Sequence, residues 1–78
     1  MFKVILKRTT TYNAFYIAHA IAMVINLPLG QATQIAVLAG LRDVEIYSTT
    51  DIVDARTCER ALKQFDLKVK VLNENESA

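Results

Sequence analysis

YIAHAIAMVI, Tyr16–Ile25, is apolar enough to pass for part of a membrane segment, and its reading decides the fold of this 78-residue chain. A transmembrane span needs about 20 apolar residues in succession. Here His19 interrupts the run, and Asn26 and Pro28 end it. The Lys/Arg rim that holds a helix in a membrane interface is also missing. The stretch therefore reads as an amphipathic helix that covers a small core, with no membrane partner. At 100° per residue, Ala14, Ile17, Ala20, Ile21 and Val24 fall on one side. Opposite them lie Phe15, His19, Ala22 and Asn26, flanked by Tyr16 and Met23. Thr11 or Asn13 can cap this helix, because their side-chain oxygens accept orphan backbone N–H groups.

Pro28 suits the first turn of a second helix, where its missing N–H is no loss. Leu29, Ala32, Ile35, Ala36 and Ala39 share an inward face there, and Gly40 is a helix-ending residue. Gln31, Gln34, Val37 and Leu38 point outward. Before this helical hairpin, MFKVILK alternates: Phe2, Val4 and Leu6 face one way, and Lys3, Ile5 and Lys7 the other. That is a strand with one buried face. DVEIYS alternates again, with Val44 and Ile46 inward and Glu45 and Tyr47 outward. Thr49, Thr50 and Asp51 offer caps for a third helix, whose first turn also holds Asp54. Its apolar stripe is Ala55, Cys58, Leu62 and Phe65, and Arg56, Glu59, Arg60 and Lys63 make its solvated face. LKVKVL is the last strand, with Leu67, Val69 and Val71 inward. Residues 1–72 form one domain, and NENESA, 73–78, is expected to be a flexible acidic tail.

The order is β-α-α-β-α-β. A helical hairpin between the first two strands makes them antiparallel, and a single helix between the last two makes those run in the same direction. A sheet of order 2-1-3 satisfies both, with the crossover rule setting the hand. The fold class is α+β, in two layers, with all three helices on one face.

Composition narrows the function. The formal net charge is +1, so no global field gathers nucleic acid or an anionic membrane. The chain has one cysteine, Cys58, which cannot form an intrachain disulfide and points to a reducing, cytoplasmic setting. Met1 leads straight into a strand, so no signal peptide is expected. There is no Gly-rich phosphate loop and no Cys/His pair in register. His19, the lone histidine, has no second metal-type ligand beside it. Neither catalysis nor a cofactor or metal is expected.

FKVILK (Phe2 to Lys7), LPLGQA (Leu27 to Ala32) and QATQI (Gln31 to Ile35) resemble two related families across roughly residues 2 to 72. These are the C-terminal domain of the bacterial large-subunit ribosomal stalk protein and the ClpS adaptor of AAA+ proteases. Ala55, Ala61, Leu62, Val69 and Val71 fall where the stalk domain has the same residues. The resemblance implies a β-α-α-β-α-β fold and a habit of binding proteins, with an AAA+ protease component or a translation-related factor as partner. The families' own site residues do not carry over. Arg8 and Thr9 stand where the adaptor has its amine-gripping Asn-Asp pair, Gly40 where it has a His, and Ala36 where it has a Met. The hairpin lacks the stalk domain's factor-binding lysines and arginine, and Gly30 replaces one lysine.

From Thr9 to Leu41 there is no Asp, Glu, Lys or Arg. A hairpin on a sheet normally keeps a charged outer face. Charge depletion with exposed Phe, Tyr and Met is the mark of an interface core. The expected docking residues are Phe15, Tyr16, His19, Ala22, Met23, Gln34 and Leu38. Ala18 and Ala22 would let a partner helix approach closely, and a homodimer or another protein would fit. The reading is a small regulatory adaptor, modulator or inhibitor. The alternative is a binder of nucleic acid or an acidic partner through the open sheet face, using Lys3, Lys7, Arg8, Lys68 and Lys70. Tyr47 would then be its one stacking aromatic.

Overall fold

The computed structural model describes residues Met1–Asn73; the acidic stretch 74–78 lies outside the described residues. The elements are β1 (Phe2–Leu6), α1 (Ala14–Ile25), α2 (Leu29–Ala39), β2 (Val44–Thr49), α3 (Ile52–Lys63) and β3 (Val69–Asn73). β1 is the middle strand and pairs antiparallel with both neighbours, giving the order β2-β1-β3. Val4 and Leu6 are completely buried under the helical layer, whereas Lys3, Ile5 and Lys7 stand on the other face. The expected α+β architecture is the one observed.

The helix ends follow from local chemistry. Asn13 caps α1, its side chain accepting the Tyr16 N–H at 2.8 Å. α1 ends at Asn26, whose φ of 57° is left-handed, a conformation Asn tolerates better than most residues. Pro28 then opens α2. Asp51 caps α3 by accepting the Val53 N–H at 2.9 Å. Gly40 closes α2 in a right-handed conformation, so its special backbone freedom is not used there.

The core is built from the inner stripe of each element. Leu6, Ile17, Ile21, Leu62 and Val4 are its largest fully buried side chains. Alanines fill the seams: Ala18, Ala20, Ala32, Ala36, Ala39 and Ala55 are all buried. Small side chains at these positions let helices approach closely while still excluding water.

Several expectations need correction. Ala18 is 1% exposed, so it belongs to the core and cannot seat a partner helix. Ala22 is half-buried and packs against the same cluster. Asn73 is not the start of a tail, because it closes β3 opposite Phe2. Glu59 is not solvated: its side chain is held between Arg56 at 3.1 Å and Lys63 at 3.4 Å and is only 14% exposed.

Tyr47 is a further correction, and its cause is a bulge. Val4 lies opposite Tyr47 and Ile5 opposite Glu45, so Ile46 is an extra residue on β2. One extra residue turns the following side chain to the other face. Ile46 is buried and Tyr47 also packs against the core, with its hydroxyl donating to Asp54 at 2.6 Å. That bond raises the Tyr47 phenol pKa above its ordinary value, since the carboxylate favours the protonated form. Tyr47→Phe is expected to lower the urea midpoint by a small but measurable step, well short of the effect of a core truncation. Urea denaturation checks it; an unchanged midpoint would mean the ring points to solvent.

Candidate protein-docking surface

The outward side of α1 is uncharged, like the rest of the hairpin, and exposes two large apolar side chains. Phe15 and Met23, about two turns apart, are 71% and 72% exposed. His19 lies between them. Its ring sits 4.7 Å from that of Phe15, tilted by 35°, and its Nδ1 is 3.0 Å from the Phe15 carbonyl oxygen. Phe15 and His19 thus form one preset aromatic shelf, and Met23 adds an adaptable thioether side chain. A surface without charges loses little hydration when a partner covers it, so its apolar area converts more readily into affinity.

Tyr16 has a different job from its neighbour. It is 37% exposed. Its ring stacks on Tyr12 at 4.5 Å, and its hydroxyl donates to the Phe65 carbonyl at 2.8 Å. The Tyr12 hydroxyl in turn donates to the Asp66 carboxylate, which raises the Tyr12 pKa. The two tyrosines tie the start of α1 to the turn after α3. In that turn Asp66 takes a left-handed φ of 63°. Tyr16 therefore forms the margin of the shelf and positions it. The sequence offers no periodic signal for the Tyr12–Asp66 contact, because its members lie 54 residues apart.

On α2, Gln31, Gln34 and Val37 are exposed and Leu38 is half-buried. Leu41, just past Gly40, is 71% exposed, and Leu29 is also exposed. Spacing finds neither of these two, because it places Leu29 on the inward face and gives Leu41, just past the helix-ending Gly40, no face at all. No helix of the described residues is long and apolar enough to cross a membrane.

The open sheet face does gather the expected lysines, but two of them are neutralised. Lys3 pairs with Glu45 and Lys7 with Asp43, each at 3.1 Å. Asp43 also accepts the Arg8 backbone N–H at 2.7 Å. That hydrogen bond, then Lys7, holds the Asp43 carboxyl below its usual range. Lys68 and Lys70 are exposed, and among the described residues they make no ion pair. With Tyr47 turned inward, the face has lost the one aromatic that base stacking would have used.

Clefts of about 220 Å³ each lie at two places among the described residues. The first, between the end of α1, β2 and α3, is lined by Val24, Ile25, Tyr47, Asp54 and Cys58. Burial, then Asp54, pushes the Cys58 thiol up to about 11, so it is no nucleophile at neutral pH. The second follows β1 and is lined by Arg8, Thr9, Thr10, Tyr12, Asp66 and Lys68. Its two cations suit it poorly to an amino group, and its one carboxylate is already engaged by Tyr12. Among the described residues no group of three or more His, Cys, Asp or Glu side chains converges to hold a metal. No protein-family model matches the chain, and none of the curated proteins matches it.

Proposed function

We propose that this chain is a non-catalytic protein-recognition module, an adaptor, modulator or inhibitor, that docks the uncharged outer ridge of α1 against another polypeptide. The observation that carries this reading is the exposure of Phe15 and Met23 on a hairpin with no charged side chain. The likeness to adaptor and stalk domains supports the same habit and points to an AAA+ protease component or a translation-related factor as partner. The single cysteine, buried and unpaired, supports a reducing, cytoplasmic setting. Phe15, His19 and Met23 form the centre of the surface, and Tyr16, Ala22, Gln34 and Leu38 its margin.

Phe15→Asp and Met23→Glu are each expected to weaken partner binding at least about tenfold, as truncation or charging of a central anchor does. Far-UV circular dichroism should stay native, because neither side chain enters the core. The experiment is capture from cell extract by the wild-type chain and both variants. Val53→Glu serves as the control, since Val53 is 67% exposed on a different helix and should leave capture intact. Equal capture by all four proteins would rule the surface out.

A further inference from the structure

The loop between β1 and α1 contains Arg8, Thr9, Thr10, Thr11 and Tyr12, one cation followed by four hydroxyl side chains. Contacts from distant segments hold it in place. The Lys7 N–H donates to the Lys68 carbonyl at 2.9 Å, which sets Lys68 beside the start of the loop. The Arg8 N–H donates to the Asp43 carboxylate at 2.7 Å, and the Thr9 N–H to the Ala39 carbonyl at 2.9 Å. At the far end the Tyr12 hydroxyl donates to Asp66, and the Tyr12 ring stacks on that of Tyr16. The cleft of about 220 Å³ along this loop is therefore preformed, and a ligand entering it has little chain left to order.

Every side chain of its lining carries a polar group. Among the described residues Arg8 and Lys68 make no ion pair, and the Thr10 and Thr11 hydroxyls make no hydrogen bond. Two cations against the one carboxylate of Asp66 leave the cleft positive, and Asp66 already accepts from Tyr12. Guanidinium, ammonium and hydroxyl groups all donate, so the set calls for an acceptor rich in oxygen and negative charge. A terminal phosphoryl group brings three oxygens and nearly two charges. A carboxylate or a phosphodiester link brings two free oxygens and a single charge, which is about half the attraction.

We propose that this cleft binds a terminal phosphoryl group, clasped by Arg8 and Lys68 and hydrogen-bonded by the Thr10 and Thr11 hydroxyls. The planar guanidinium fork matches two phosphoryl oxygens at once, and the lysine ammonium adds a compact point charge. The carrier is a small phosphomonoester or a phosphorylated side chain of a polypeptide, since the same chemistry recognises both. Neither Phe15 nor Met23 lines the cleft, so the inference does not depend on what the α1 ridge binds.

Backbone amide NMR shifts of the full chain test it, during titration with inorganic phosphate and with a short peptide carrying one phosphoserine. The amides of Thr9 to Tyr12 and of Lys68 are expected to move together and to saturate by about 50 mM phosphate. Tighter binding of the peptide assigns the carrier to a polypeptide, and equal binding assigns it to a small molecule. Arg8→Gln and Lys68→Gln are each expected to raise the Kd at least about tenfold. Asp66→Asn should lower it at least about threefold by removing the repelling charge. Its amide oxygen still accepts from Tyr12, and Asn tolerates the left-handed φ at that position. Loss of structure cannot produce such a gain. Arg56→Gln, which removes a cation from α3 outside the cleft, should change nothing. The proposal is overturned by an absence of saturation, by an equal response to acetate at matched ionic strength, or by unchanged affinity in the Arg8, Lys68 or Asp66 variants. Equal weakening by Arg56→Gln overturns it too, as does tighter binding of an oligonucleotide without a terminal phosphate, which assigns the cleft to a phosphodiester backbone.

Discussion

Leu6→Ala is expected to remove about 2–5 kcal/mol from the unfolding free energy, the largest loss of any single truncation in this chain. Leu6 is completely buried in the middle strand, with Val44 opposite it on one side and Val69 on the other. Shortening it opens a void that touches both strand pairs and the helices above, and close-packed neighbours relax only partly into such a space. A domain of this size starts from a small reserve, because short chains bury a modest share of their surface. Urea denaturation should show a lower midpoint with an unchanged slope, the sign of lost stability without a changed native or denatured state. Ile5→Ala, on the open face of the same strand, is the comparison and should cost about 1 kcal/mol or less. If the two variants lose the same amount, the helices do not cover β1 as described.

Ala18→Glu is expected to abolish cooperative folding at neutral pH. The side chain would enter a position that is 1% exposed, in a core that buries no charged side chain among the described residues. An unpaired buried carboxylate costs several kcal/mol and relieves that cost by taking up a proton. Its folded-state pKa is therefore raised above the unfolded value of about 4.3. A raised carboxyl pKa means the penalty is smallest below the unfolded value and grows as pH rises toward the folded one. Circular dichroism should thus show more native structure near pH 4 than at pH 7 for this variant relative to wild type. Met23→Glu, about one and a half turns further along α1, introduces the same group at a site that is 72% exposed. It should leave folding intact at both pH values. Similar stability of the two variants would contradict the placement of α1 on the core.

The inner stripes of α1, α2 and α3 are legible from spacing alone: Ile17, Ile21, Ala32, Ala36, Ala55, Cys58 and Leu62 are all buried. So is the face of β1, because Val4 and Leu6 alternate with Lys3 and Lys7. The flanks of α1 are not. Ala18 and Tyr16 lie on opposite shoulders of the same helix, and neither alanine nor tyrosine is confined to one environment. Ala18 goes to the core, and α2 is the helix packed most extensively on α1. Tyr16 is half covered because its hydroxyl reaches the Phe65 carbonyl. Tyr47 escapes the pattern for a third reason: alternation holds only while the ladder is regular, and the extra residue Ile46 breaks it.

The candidate surface divides along the same line. Its lack of charge is a property of the chain itself, visible in the uninterrupted neutral run from Thr9 to Leu41. Its shape is not. The shelf made by Phe15 and His19 follows from their spacing of four, but its margin depends on Tyr12, Tyr16 and Asp66. The neutralisation of Lys7 by Asp43, from the opposite end of the hairpin, likewise comes only from the register of the strands.

The chain alone determined the kind and order of its six elements, the side most of them turn inward, and the stretch left without charge. Those features arise from hydrogen bonds and side-chain directions that repeat within one segment, about every 3.6 residues in a helix and every two in a strand. The tertiary structure decided which shoulder of α1 is covered, which face Tyr47 takes, and that Lys3 and Lys7 form ion pairs with Glu45 and Asp43. Such outcomes depend on how segments far apart in sequence come to lie side by side, and no local period carries that information.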